Sequence, residues 1–126
     1  MKRFRPSLPK VSEGTKAWST ALAQEIESWP QVSLRAFFGF TALYRRKKIF
    51  ALLPRSRGFK TANSLAFKLE SPPARALAKL QEDPRVGVTE MKKAPWVTFA
   101  LSSASDLRDA LRWIEQAYAA AGAVER

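Results

Sequence analysis

Apolar residues in the first part of this chain recur at three- and four-residue steps. Trp18, Ala21, Leu22, Ile26 and Trp29 form one stripe, Ser12 or Thr15 stands where an N-cap belongs, and Pro30 ends the run, which predicts a helix. From Val32 the period becomes two. Val32, Leu34, Ala36 and Phe38 alternate with Ser33, Arg35 and Phe37, as in a half-buried strand stopped at Gly39. Further strands are expected over 40–44, 49–53 and 64–69, with Arg45-Arg46-Lys47-Lys48 as a hairpin tip and the aperiodic stretch 55–63 as a loop. Ser71-Pro72-Pro73 predicts a helix start with Ser71 as N-cap; Ala76, Leu77 and Leu80 follow as its stripe and Pro84 stops it. Two more strands, over 86–91 and 96–101, flank the turn Lys92-Lys93-Ala94-Pro95. A final helix follows Ser103, with Asp106 completing a capping box. Its apolar face comprises Leu107, Ala110, Leu111, Ile114, Ala117, Tyr118 and Ala121, with Gly122 expected at C′.

This order, α-ββββ-α-ββ-α, predicts an α+β fold: an antiparallel sheet, made of a four-strand meander plus a further hairpin, with helices packed on one face. At 126 residues, 46% of them hydrophobic and 26% charged, the chain is long enough for one cored domain and too short for two. That domain is expected over 12–122, after a basic tail over 1–11 in which Pro6 and Pro9 block a helix. No apolar run approaches the roughly 20 residues of a membrane span, and the basic start lacks the apolar core of a signal peptide. A cytoplasmic location is therefore expected.

Charge narrows the function classes. Residues 1–60 carry 13 basic and 3 acidic side chains, against 9 and 8 in residues 61–126. Between Ser28 and Leu69 there is no acidic residue at all, although Arg35, Arg45, Arg46, Lys47, Lys48, Arg55, Arg57, Lys60 and Lys68 fall there. Such an unopposed positive field points to polyanionic partners. Catalysis has little to work with, because the chain contains no His and no Cys, and its five glycines form neither a Walker loop nor a dinucleotide fingerprint. Ser7 and Lys10 have a Ser-x-x-Lys spacing, but Pro9 between them sits in a tail that cannot hold a nucleophile rigidly. Asp106 is expected to support its helix terminus, Asp109 to pair with Arg108 or Arg112, and Glu82-Asp83 to form a solvated helix end. A non-enzymatic module without cofactor or metal is the expectation.

Three stretches carry a resemblance: 35–44 (Arg-Ala-Phe-Phe-Gly-Phe-Thr-Ala-Leu-Tyr), 48–53 (Lys-Ile-Phe-Ala-Leu-Leu) and 65–69 (Leu-Ala-Phe-Lys-Leu). With Trp96 and the terminal amphipathic helix, they resemble the amino-terminal domain of TfoX competence regulators and the related YjbR-like small proteins, over about residues 32–120. Phe37 or Phe38 stands where that pattern has Met, and Phe40 where it has a second Gly. The resemblance implies a standalone bacterial α+β domain in gene-regulatory or DNA-related work, with no catalytic residues to carry over.

Three binding readings follow. In the first, DNA or RNA is held by a basic set at the hairpin tip and loops: Arg45, Arg46, Lys47, Lys48, Arg55, Arg57, Lys60, Lys92 and Lys93, with Tyr44 or Phe59 free to stack on a base. The same tip charges can equally keep a hairpin solvated and discourage edge pairing, and the aromatics can belong to the core. In the second, Arg35 and Lys68 project from neighbouring strands, with Tyr44, onto a sheet face that takes a small anion or an acidic protein. In the third, the chain is a homodimer through its sheet or through Trp18 and Trp29, rather than a monomer.

Overall fold

Ser12 opens the first helix: its hydroxyl accepts the Thr15 N–H at 3.1 Å, and α1 (Glu13–Glu27) follows. The computed structural model describes residues 12–59, 63–69, 72–88 and 96–123. After α1 come β1 (Val32–Phe37), β2 (Phe40–Arg45), β3 (Lys48–Pro54) and β4 (Ser64–Lys68), then α2 (Ala74–Glu82), β5 (Val86–Val88), β6 (Trp96–Ala100) and α3 (Ala104–Ala123). All six strands join one antiparallel sheet in the order β1-β2-β3-β4-β6-β5. The α+β class and the element order are those expected from the periodicities.

Cross-strand register explains where the core lies. Leu43 pairs with Ala51, Ala51 with Phe67, and Leu65 with Phe99, so these side chains share one face. On that face pack Leu22 and Ile26 of α1, Leu80 of α2, and Ala110, Ile114, Ala117 and Ala121 of α3. The pairing shifts between Leu43 and Tyr44, which leaves Phe50 without a β2 partner and lets Phe50 and Ala51 enter the same core in succession. Phe50, Phe67 and Phe99 are fully buried there, each contributing about 1.5–3 kcal/mol by removal from water.

Several local expectations change. Phe38 does not continue the β1 pattern. It forms a two-residue turn with Gly39, both at positive φ (49° and 89°), and is 83% exposed. The β2–β3 tip is shorter than the four-residue basic run, since Arg45 and Lys48 pair in register and leave Arg46-Lys47 as the loop. Gly122 lies within the last turn of α3, not beyond it, and the capping box of α3 is offset by one residue. There the Asp106 N–H donates to the Ser103 hydroxyl at 3.3 Å, while the Asp106 carboxylate accepts from the Ser102 N–H at 2.8 Å. The residue at the N-cap position of α2 is Pro73; Ser71, the tail over 1–11, and the expected strand residues 89–91 lie outside the described residues.

Candidate functional site

The three helices take one face of the sheet, and no helix lies over the other among the described residues. That second face carries Phe40, Ala42, Leu52, Ala66 and Phe59 as a small buried cluster, with Phe37, Tyr44, Ile49 and Trp96 half-buried against it. Phe59 packs on Phe40 at 4.7 Å between ring centroids, so it serves this cluster and does not stand free in its loop. Along one row, Arg35 pairs with Ala42, Ala42 with Leu52, Leu52 with Ala66, and Ala66 with Thr98. Two alanines with Leu52 between them thus floor the middle of the face. The Arg35 guanidinium lies over the Tyr44 ring, 5.4 Å from its centroid, an arrangement in which the ring's negative face meets the cation. On the far side Lys68 sits opposite Trp96.

None of the six strands contains an Asp or Glu. Every described acidic side chain belongs to a helix or to the turn after α2. The two layers are therefore electrostatically different, with cations alone in the sheet and mixed charge in the helices.

The basic residues expected to act together are distributed over both ends of the sheet. Arg46 and Lys47 occupy the β2–β3 tip, whereas Arg55 and Arg57 follow the other end of β3, roughly 20 Å away at 3.4 Å per strand residue. The amides of Arg55, Ser56 and Arg57 all donate to the Gly39 carbonyl at 2.9–3.1 Å, which fastens this basic segment to the Phe38-Gly39 turn. Arg45 is turned toward the helices: it donates to the Tyr118 carbonyl at 3.1 Å and to Gln31 Oε1 at 3.0 Å, and lies 4.2 Å over the Tyr118 ring. Gly122 makes room for it, because a methyl group there would overlap the guanidinium. Lys48 is half-buried opposite Arg45. Lys60, Lys92 and Lys93 lie outside the described residues. Arg35 and Lys68 do share the open face, but β2 and β3 separate their strands, which puts their Cα atoms roughly 15 Å apart instead of on neighbouring strands.

Two further constellations escaped the sequence reading. Arg85 donates to Asp83 at 2.7 Å, to Asp106 at 2.6 Å and to Asp109 at 3.1 Å, with its guanidinium 4.6 Å over the Phe99 ring. Asp109 therefore pairs with Arg85 and not with Arg108 or Arg112, and Asp83 is part of this cluster instead of a solvated helix end. The Ser102 N–H, with Arg85 beside it, holds the Asp106 carboxyl down at about 2; hydrogen bonds from Arg85 likewise lower Asp83 and are answered by a raised Arg85. The cluster ties the α2–β5 turn to the start of α3, and no sequence spacing announces a contact between elements over 20 residues apart. The second is a cleft of about 690 Å³ lined by Ser12, Thr15, Trp18, Phe59, Asn63 and Leu107 among others, with no charged side chain among the described residues of its wall. Asn63 organises it, accepting from the Thr15 hydroxyl at 2.6 Å and the Trp18 indole at 3.0 Å. Its only sequence signal is an Asn in a loop.

Among the described residues no group of three His, Cys, Asp or Glu is placed to hold a metal ion, and no helix is long and apolar enough to cross a membrane. No family model, curated protein or solved structure matches the chain.

Proposed function

We propose that this domain binds single-stranded nucleic acid on the open face of its sheet. The observation that carries the reading is the coincidence, on one face free of helices among the described residues, of half-buried aromatic rings with Arg35 and Lys68 and no Asp or Glu within the described strands. Unpaired bases can stack on Phe37, Tyr44 and Trp96 while phosphates meet the cations, a combination tolerant of sequence. The reading moves the binding surface from the hairpin tip to the sheet, because the tip and the loop after β3 lie at opposite ends and Arg45 is engaged with α3. It also suits the DNA-related work implied by the resemblance to TfoX amino-terminal domains. The reading treats the domain as a binding module rather than an enzyme.

Fluorescence anisotropy with a labelled 15-nucleotide oligothymidine tests it. If Arg35, Lys68 and Arg55 each neutralise one phosphate, log K falls with log salt at a slope near −2, or roughly 20-fold between 50 and 200 mM. Arg35→Ala and Tyr44→Ala should each weaken binding several-fold, and Lys47→Ala far less. No binding at 50 mM salt, or equal losses at Arg35 and Lys47, overturns the reading.

A further inference from the structure

Phe38 combines two features that folding stability does not explain. It sits at φ +49° in a turn whose second residue, Gly39, is at +89°, and its ring is 83% exposed. Two-residue hairpin loops with positive φ at both central positions strongly favour Asn-Gly or Asp-Gly, whereas a bulky ring in the left-handed region is strained. The ring joins neither buried cluster. Its one aromatic contact among the described residues is edge-on to Phe37, 4.8 Å between centroids, and Phe37 lies at the rim of the open sheet face. A basic segment runs next to this turn, because the backbone amides of Arg55 and Arg57 are bound to the carbonyl of Gly39, the next residue in the chain.

Resting on the sheet-face reading above, we infer that Phe38 is a base-stacking residue. It extends the aromatic path of the sheet past its edge and takes an unpaired nucleobase, with Arg55 beside it for the adjoining phosphate. Strain retained at an exposed aromatic is what a binding role would maintain against the stabilising alternative. A base inside a duplex offers no free face to this ring, so the inference adds selectivity for single strands.

The test uses the whole chain with Phe38→Asn, Phe38→Gly and Phe38→Trp, labelled oligothymidine of 15 nucleotides, and the same strand in duplex with oligoadenosine, all at 50 mM salt. Phe38→Asn and Phe38→Gly should weaken single-strand binding about 5- to 150-fold, the range for loss of one stacked base. Phe38→Trp should preserve it, and duplex binding should be weak and insensitive to all three. At the same time Phe38→Asn should raise the urea midpoint by about 0.5 M, since it relieves the strained backbone. If the wild type binds oligothymidine and the Asn and Gly variants bind equally well, the role of Phe38 is overturned and the sheet-face reading survives. If the wild type does not bind, both are overturned. Equal Phe38 dependence with duplex, or with polyglutamate as an acidic-protein probe, overturns the assignment to an unpaired base.

Discussion

Asn63 is the side chain on which three elements meet, and replacing it with alanine should cost about 4 kcal/mol of folding stability. Its Oδ1 accepts from the Thr15 hydroxyl at 2.6 Å and the Trp18 indole N–H at 3.0 Å, and its Nδ2 donates to the Leu101 carbonyl, so α1, the start of β4 and the entry to α3 are tied at one point. Each of these bonds contributes about 1 kcal/mol net. Thr15 is buried, so its hydroxyl would lose the acceptor it donates to and keep only its contact with the Ser12 hydroxyl at 3.1 Å. The backbone adds to this, because φ is +60° at Asn63, a conformation that asparagine tolerates and alanine pays about 1 kcal/mol to adopt. Asn63→Gly removes the bonds without the strain and should cost about 3 kcal/mol. Against a total of roughly 5–15 kcal/mol for a domain, either loss is large. Urea unfolding followed by tryptophan fluorescence measures both, and the expected order of stability is wild type, Gly, Ala. The reasoning is refuted if Ala lies within 1 kcal/mol of wild type, or if Ala is as stable as Gly. A cycle with Thr15→Val should show a coupling of at least 0.5 kcal/mol, since the two residues share a bond.

Gly122→Ala should destabilise by about 1 kcal/mol in the wild type, because it evicts the Arg45 guanidinium from Tyr118, and should stabilise by a similar amount in an Arg45→Ala background, where the usual helix preference for Ala over Gly applies. The same sign in both backgrounds, by chemical denaturation, refutes the contact. Folding holds Asp106 at about 2 and lowers Asp83, so their stabilisation is complete above about pH 4 and is lost as the pH falls toward 2. The thermal midpoint should drop across that window and drop less in Asp106→Asn; a wild-type midpoint flat down to pH 2.5 contradicts this. Arg85→Met, which keeps an apolar stem over Phe99, should cost about 2 kcal/mol at pH 7 and less at pH 2.5, where the carboxylates it leaves behind are becoming neutral; equal costs at the two pH values contradict the cluster.

Local rules made the fold legible where they act over one element. Leu22 and Ile26 announce a buried helical stripe, and Leu52 and Leu53 alternate into the two clusters as a strand period requires. What stayed hidden depends on contacts between elements. The basic run 45–48 reads as four equivalent charges, yet Arg45 is turned toward α3 by a partner 73 residues away and by the missing side chain of Gly122. Arg85 likewise reads as one more cation until the fold brings the start of α3 beside the α2–β5 turn. Phe38 departs from the strand pattern for a different reason. Alternation carries no marker of its own end, so the period ran one residue past Phe37, and the Gly that follows signals the stop without saying which residue turns.

The acid-free run that first suggested a polyanion has two causes that the structure separates. Asp and Glu are disfavoured in strands, while helix starts recruit them, as Asp106 does at the amides preceding α3. A meander of four strands is therefore poor in acid whatever it binds, and the missing carboxylates alone say little about function. The informative quantity is the fate of the cations in those strands. Of Arg35, Arg45, Lys48 and Lys68, Arg45 is turned onto α3 and Lys48 sits opposite it, while Arg35 lies over Tyr44 on the open face and Lys68 sits across from Trp96 on that same face. A cation kept on a sheet face beside an aromatic ring is not required by strand formation or by the core. It is this pair of positions, and not the total of +11, that bears on what the domain binds.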